Sequence, residues 1–244
     1  MTYCVGLMLN RGLVFMSDTR TNAGLDNVST FRKMTLWENP GHSVITMMSA
    51  GNLATTQAVV SLLQERVKSP EERTPALLDI SSLFQSVRLI AETLREVIEQ
   101  HTEGGLQAES PFHATLLVGG QVKGSVPRLF LVYPEGNFIE ATPDTPFFQI
   151  GETKYGRPIL IRGFDPAMSF EDAMKLLLVS FDSTLKANLS VGAPFDYHFY
   201  STDSLTLGRC GRIAPDDPYF TSVSEHWGEK LKDALDSLPK YQFE

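Results

Sequence analysis

The sequence predicts an α+β fold in which two antiparallel sheets stack on each other and a layer of helices covers each outer side. Three observations carry this. Strand-like runs come in blocks and helical runs in pairs, so the strict alternation of a parallel sheet is missing. The first two apolar runs are joined by Asn10-Arg11-Gly12, a short Gly-containing link of the kind that closes hairpins. The 244 residues are 42% apolar and show no repeat, low-complexity linker or composition break, so one domain, 1–244, with a full core is expected.

Taken in order, residues 2–9 and 13–19 are strand-forming runs. Strand side chains alternate, so Thr2, Cys4, Gly6 and Met8 share one face of the first, and Asp18 and Arg20 share a face of the second. Residues 21–30 are polar and read as a loop. Residues 31–37 and 43–50 suit a second hairpin across Asn39-Pro40-Gly41. Gly51-Asn52 opens a helix in which Ala58, Val59, Leu62 and Leu63 recur at helical spacing. A long helix is predicted over 76–101, with Leu83, Val87, Ile90, Leu94 and Val97 as its apolar stripe. Glu103 to Pro111 reads as a loop. Strands at 112–120, 127–133 and 137–141 follow, then helices at 152–162 and 169–187 and strands at 195–201 and 204–210. Gly119 to Ser125 lacks the ending of a phosphate-binding loop and reads as a hairpin turn. An additional C-terminal amphipathic helix is predicted from about 218 to 238.

Composition excludes several classes. Lys and Arg number 21 against 29 Asp and Glu, a net charge of −8 with no basic run, so neither nucleic acid nor an anionic membrane is an expected partner. Two cysteines, Cys4 and Cys210, are too few for a disulfide framework. No apolar stretch approaches the roughly 20 residues of a membrane helix. The N-terminus has no basic segment or cleavage site, and a cytoplasmic protein is expected. The five histidines show no i, i+4 pair and no cysteine at ligand spacing, so no metal site is expected.

The opening residues carry chemistry. Methionine aminopeptidases generally remove Met before a small residue such as Thr2. A hydroxyl is a weak nucleophile until a nearby base takes its proton. The α-amine of the same residue, with a reference pKa of about 7.7–8.0, can be that base at neutral pH. A lysine beside the hydroxyl favours the developing negative charge, and a carboxylate beside the lysine holds it; Lys33 and Asp18 suit these parts. A backbone N–H at a strand-to-helix junction suits an oxyanion, because the helix N-terminus adds positive potential; Gly51 lies at such a junction. Singly, each residue has a bland explanation: Asp18 in a turn, Lys33 as a solvated edge charge, Gly51 as a helix start. Their joint order and spacing is the signal.

Thr2, then Ser17-Asp18-Thr19-Arg20 with Asn22-Ala23-Gly24, then Phe31-Arg32-Lys33, then Ser49-Ala50-Gly51 resembles the N-terminal part of proteasome β-type subunits. These are N-terminal-nucleophile hydrolases with a four-layer αββα sandwich. The resemblance is strongest over residues 1–57 and points more narrowly to the bacterial Anbu (ancestral β-subunit) group. It implies that Thr2 is the nucleophile, that Asp18 and Lys33 are its charge partners and that Gly51 supplies the oxyanion amide. It implies a peptide or protein substrate lying extended between Thr21-Asn22 and Ser49 to Gly51, held by main-chain hydrogen bonds. Arg20 is expected to be structural. No cofactor is implied. Homo-oligomeric rings or spirals are, with Leu83, Phe84, Val87 and Leu94 available to pack on neighbours. The chain has no ATPase motif, so energy-driven unfolding would need a separate partner.

The second half departs from the proteasome pattern. Where a Gly-Ser-Gly-type element is expected, Gly151-Glu152-Thr153 places Glu152 at the serine. Where an Asp-x-x-Ser-Gly element is expected, Ser190 matches but Ala187 replaces the aspartate. A carboxylate at Glu152 can hydrogen-bond the terminal ammonium and raise its pKa, weakening it as a base, so low activity or an unusual substrate is expected. Two rivals stay open: an amidase acting on small peptides, and an assembly subunit with weak or no catalysis.

Overall fold

The computed structural model describes residues 1–22, 28–68, 76–102 and 112–243. Strands β1 (Tyr3–Leu9) and β2 (Gly12–Asp18) form the predicted hairpin, with Cys4 opposite Ser17 and Leu9 opposite Gly12. Three more strands complete their sheet: β10 (Phe147–Gly151), β11 (Phe195–Ser201) and β12 (Arg209–Ile213), in the order β10-β1-β2-β11-β12. The second sheet has the order β5-β6-β7-β8-β9, from β5 (Met34–Asn39), β6 (Ser43–Gly51), β7 (Ala114–Val122), β8 (Arg128–Val132) and β9 (Phe138–Glu140). The strand pairings within both sheets are antiparallel.

Alternation along these strands sorts the core into three apolar layers. Ile45, Met47, Leu116 and Val118 pack under α1 (Leu53–Lys68) and α2 (Leu83–Thr102). Val5, Leu7, Val14 and Phe195 pack under α3 (Arg157–Gly163), α4 (Phe170–Ala187) and α5 (Pro218–Asp236). Leu13, Phe15, Met48, Leu117 and Leu129 fill the space between the sheets. This is the predicted four-layer αββα sandwich.

Several boundaries move for local reasons. The helix expected from 76 begins at Leu83, where Ser82 accepts from the Gln85 amide. Residues Ala76, Leu77, Leu78 and Ile80 are instead a buried turn tucked beneath the same core, which is why their apolar pattern ran on into the helix. The helix expected at 152–162 starts only at Arg157, and the strand β10 before it was not predicted. The late strand expected at 204–210 is β12, because Asp203 and Leu205 adopt positive φ and turn the chain first. The strand expected at 31–37 runs over Met34–Asn39. Within the expected loop 21–30, β3 (Arg20–Asn22) and β4 (Val28–Thr30) form a two-stranded ribbon; residues 23–27, which include Ala23 and Gly24, lie outside the described residues. The loop expected at 103–111 also lies outside them. Of the four residues offered for packing on neighbours, Leu83, Val87 and Leu94 are buried within this chain's own core, leaving only Phe84 exposed.

Candidate active site

Thr2 immediately precedes β1, which runs between β10 and β2, and is half-buried. Its carbonyl accepts the Glu152 amide at 2.7 Å. Gly151, with φ of +83°, comes so close that a Cβ there would strike the Thr2 carbonyl, so only glycine lets β10 end against Thr2. The next residue fixes the strand from the other side. The Tyr3 ring is fully buried against Phe181, and its hydroxyl shares hydrogen bonds with Ser180 at 2.7 Å and Gln149 at 2.6 Å.

The Tyr3 amide donates to the Asp18 carboxylate at 2.9 Å. Asp18 is fully buried at the end of β2 and accepts two further donors. Lys33 Nζ lies 2.6 Å from one oxygen, and the Gly192 amide lies 3.4 Å from the other. Lys33 also donates to the Arg20 carbonyl at 2.6 Å and is itself buried. Its backbone is held by the Ser49 amide, which donates to the Lys33 carbonyl, while the Phe31 amide donates to the Thr19 carbonyl. The end of β2 and the residue just before β5 thus deliver one carboxylate and one ammonium to the head of β1. Burial pushes the Asp18 carboxyl above the ordinary carboxylate range, and the Lys33 charge and the bonds from Lys33, Tyr3 and Gly192 pull it back. The ammonium of Met1 is held below its usual value, chiefly by burial and then by Lys33, while Asp18 and Glu152 oppose.

Gly51 ends β6 with φ of +119°, where any side chain would strike the His113 carbonyl. Asn52 then caps α1, accepting from the Thr55 amide at 3.0 Å. The junction read from the sequence is present. Thr21 and Asn22 lie on β3, opposite Ser29 and Val28. Arg20 donates to the Leu189 carbonyl at 2.9 Å and packs where a Gly192 side chain would have been, so its contacts are structural ones.

Glu152 is placed differently from expectation. Its backbone holds Thr2, but its carboxylate accepts from Asn188 Nδ2 at 2.9 Å. Asn188 also accepts the Ser190 amide at 2.9 Å through its own side chain. The polar residue missing at Ala187 therefore stands one position later, at Asn188, which was not singled out in the sequence. An Asn two residues before a Ser is the local signature of such a turn. Tyr3 and Gly192 were missed too; both act on Asp18 through backbone amides, which no side-chain motif reports.

Beyond Lys33 and Ser49 a cleft of about 760 Å³ opens between α1 and the β11–β12 edge. Its walls include Arg32, Gln57, Asp196, Cys210 and Arg212. Arg212 grips Asp196 bidentately at 2.7 and 2.8 Å. The Cys4 thiol, by contrast, is fully buried and its pKa is pushed up by burial, so it is an inert core residue.

The family of proteasome subunits matches residues 2–195. The chain belongs to the proteasome subunit family. Its fold is similar throughout to solved Anbu structures. Anbu from Yersinia bercovieri is 47% identical with a TM-score of 0.92, covering 99% of this chain and 100% of that one. Anbu from Hyphomicrobium sp. strain MC1 is 45% identical with a TM-score of 0.90 over 99% and 100% of the two chains. A structure described as the helical assembly of the Anbu complex from Pseudomonas aeruginosa is 45% identical with a TM-score of 0.92 over 99% and 98%. A comparison with proteins of curated function finds no match. Among the described residues no helix is long and apolar enough to cross a membrane.

Proposed function

We propose that this chain is a threonine-type N-terminal-nucleophile hydrolase that cleaves amide bonds in peptides. The observation that carries the reading is the buried Lys33–Asp18 pair, 2.6 Å apart, tied through the Tyr3 amide to the residue that follows Thr2. Once Met1 is removed, the α-amine of Thr2 takes the proton from its own hydroxyl, directly or through a water, and the oxygen attacks the substrate carbonyl. The Gly51 amide receives the oxyanion, aided by the N-terminus of α1. The tetrahedral intermediate collapses with transfer of the proton to the leaving amine, which departs and leaves an ester on Thr2. A water, deprotonated by the same amine, hydrolyses that ester and regenerates the hydroxyl. Lys33 holds positive charge where negative charge develops, and Asp18 keeps Lys33 charged and placed. The substrate lies extended between Thr21-Asn22 and Ser49 to Gly51. Ser190, through Asn188, helps hold the Glu152 carboxylate near the amine.

The subunits assemble with copies of themselves into rings or spirals in the cytoplasm. The helical assembly of the Pseudomonas aeruginosa relative supports this reading. So does α5, which leaves Leu231 and Leu235 exposed on the outermost layer. No cofactor takes part.

Intact mass measurement of the protein from its own cells should show loss of one methionine residue. A peptide carrying an epoxyketone should then form its adduct on Thr2, located by peptide mapping, and Thr2→Ala should abolish hydrolysis and labelling while leaving assembly intact. An adduct elsewhere, or a retained Met1, overturns the catalytic reading in favour of an assembly subunit.

A further inference from the structure

The cleft that opens beyond Lys33 is positively charged although the chain carries a net −8. Its described walls hold three cations, Arg32, Lys33 and Arg212, and one acid, Asp196. Counting Asp18 behind Lys33 still leaves one positive charge in excess. The distribution of hydrogen bonds sharpens this. Lys33 is occupied by Asp18 and the Arg20 carbonyl. Arg212 gives Asp196 its Nε and Nη2, so its Nη1, with two further N–H donors, has no partner among the described residues. Arg32 is exposed and makes no hydrogen bond or ion pair with them. The opposite wall, on α1, offers the neutral polar side chains of Thr56, Gln57, Ser61 and Gln64. Two guanidinium groups with open donors thus face a cleft in which the one carboxylate among the described walls is already taken.

We propose that this cleft selects peptides with an acidic side chain beside the reacting bond, its carboxylate received by Arg212 Nη1 and Arg32. The clause about the reacting bond rests on Thr2 as the nucleophile. The cleft begins at Lys33 and Ser49, so a peptide lying along Ser49 to Gly51 places a neighbouring side chain at its mouth. A lysine there meets two guanidinium groups and a carboxylate already held by Arg212. An apolar side chain leaves the open N–H donors without an acceptor, and a Gln amide oxygen offers only a neutral one. A carboxylate gains charge-assisted bonds.

The test uses three peptides of one length and one fluorophore, with Glu, Gln or Lys at the residue before the reacting bond. Binding is read by fluorescence anisotropy on the Thr2→Ala protein, where no turnover interferes. The Glu peptide should bind about tenfold more tightly than the Gln peptide, as one hydrogen bond to a charged group predicts. The Lys peptide should bind weakest, and the Glu advantage should shrink as salt rises. Arg32→Gln, at a residue with no partner among the described residues to orphan, should remove most of that advantage, weakening the Glu peptide far more than the Gln peptide. Arg212→Lys keeps the charge beside Asp196 and should reduce the advantage through loss of the planar donors. A second readout needs neither fluorophore nor chemistry. Cys210 lines the cleft and is exposed whereas Cys4 is buried, so iodoacetamide should alkylate Cys210 alone, more slowly with the Glu peptide present. Equal binding of Glu and Gln peptides, or an advantage untouched by both arginine variants, overturns the proposal.

An epoxyketone arm on the unaltered protein separates this from the hydrolase reading. Adducts on Thr2 that form equally fast from acidic and neutral peptides overturn the acidic selectivity and keep the nucleophile. A Glu preference in binding with no adduct on Thr2 keeps the selectivity and overturns the nucleophile.

Discussion

The first sheet buries Asp18 and His198, and it provides for them in opposite ways. Asp18, at the end of β2, is met by an ammonium and by two backbone amides. His198, in the middle of β11, has one partner: its Nδ1 lies 2.8 Å from the Thr46 hydroxyl, while its Nε2 is buried with none among the described residues. The ring stacks on Phe15. Burial therefore acts on His198 unopposed and brings its pKa down to about 4, so it is a neutral core residue. At Asp18 burial still raises the carboxyl on balance, but the Lys33 charge and the convergent donors oppose it. Depth alone does not make a reactive centre; the supply of partners does.

Removing the cation breaks this comparison most severely. Lys33→Met leaves the Asp18 carboxylate buried without its counter-charge. The expected loss is about 3 kcal/mol of folding stability, measured by denaturant unfolding, since breaking a buried pair strands the other charge. Hydrolysis should fall by at least about 100-fold. Asp18→Asn combined with Lys33→Met removes both charges and should recover most of the stability but none of the activity. A double variant as unstable as the single one would mean that the pair serves packing alone.

His198 tests the other side. Its folded pKa is depressed to about 4, whereas in the unfolded chain it protonates near 6.5. Between those values the unfolded chain holds the extra proton, so stability is lost as pH falls from about 6.5 towards 4, by at most roughly 3 kcal/mol. His198→Gln should flatten that part of the pH profile. Denaturant midpoints at the two ends of the window measure it; equal slopes in both proteins would show that the acid sensitivity arises elsewhere.

The sequence was legible where chemistry and periodicity lie close together in the chain. Asp18 and Lys33 meet beside the Tyr3 amide because two hairpins suffice to place them, and Gly51 ends its strand at the expected strand-to-helix junction. The four layers followed from the same alternation. What stayed hidden was long-range. Strand β10 is a five-residue edge that reads as strand only once it lies against β1. Asn188 becomes the partner of Glu152 only when the end of α4 meets the end of β10. The Arg32–Arg212 cleft joins segments 180 residues apart, beyond the reach of any local pattern.

The smallest expected effect probes how far Glu152 reaches the reacting amine. Its carboxylate is held by Asn188, yet its charge raises the pKa of the Met1 amine, against the larger lowering by burial and Lys33. With Met1 gone, the amine sits on Thr2, whose carbonyl is fixed by the Glu152 backbone. A base acts only when deprotonated, so a raised amine pKa confines activity to higher pH. Glu152→Gln keeps an acceptor for Asn188 and deletes the charge. The acid-side limb of the kcat/KM profile should then move to lower pH, with activity near pH 6.5 rising a few-fold relative to pH 8.5. Glu152→Ser, which restores the residue type that proteasome subunits carry there, should move the limb in the same direction. An unmoved limb in both variants would leave Glu152 as a backbone clamp for Thr2 and place the control of the amine with Lys33 and burial.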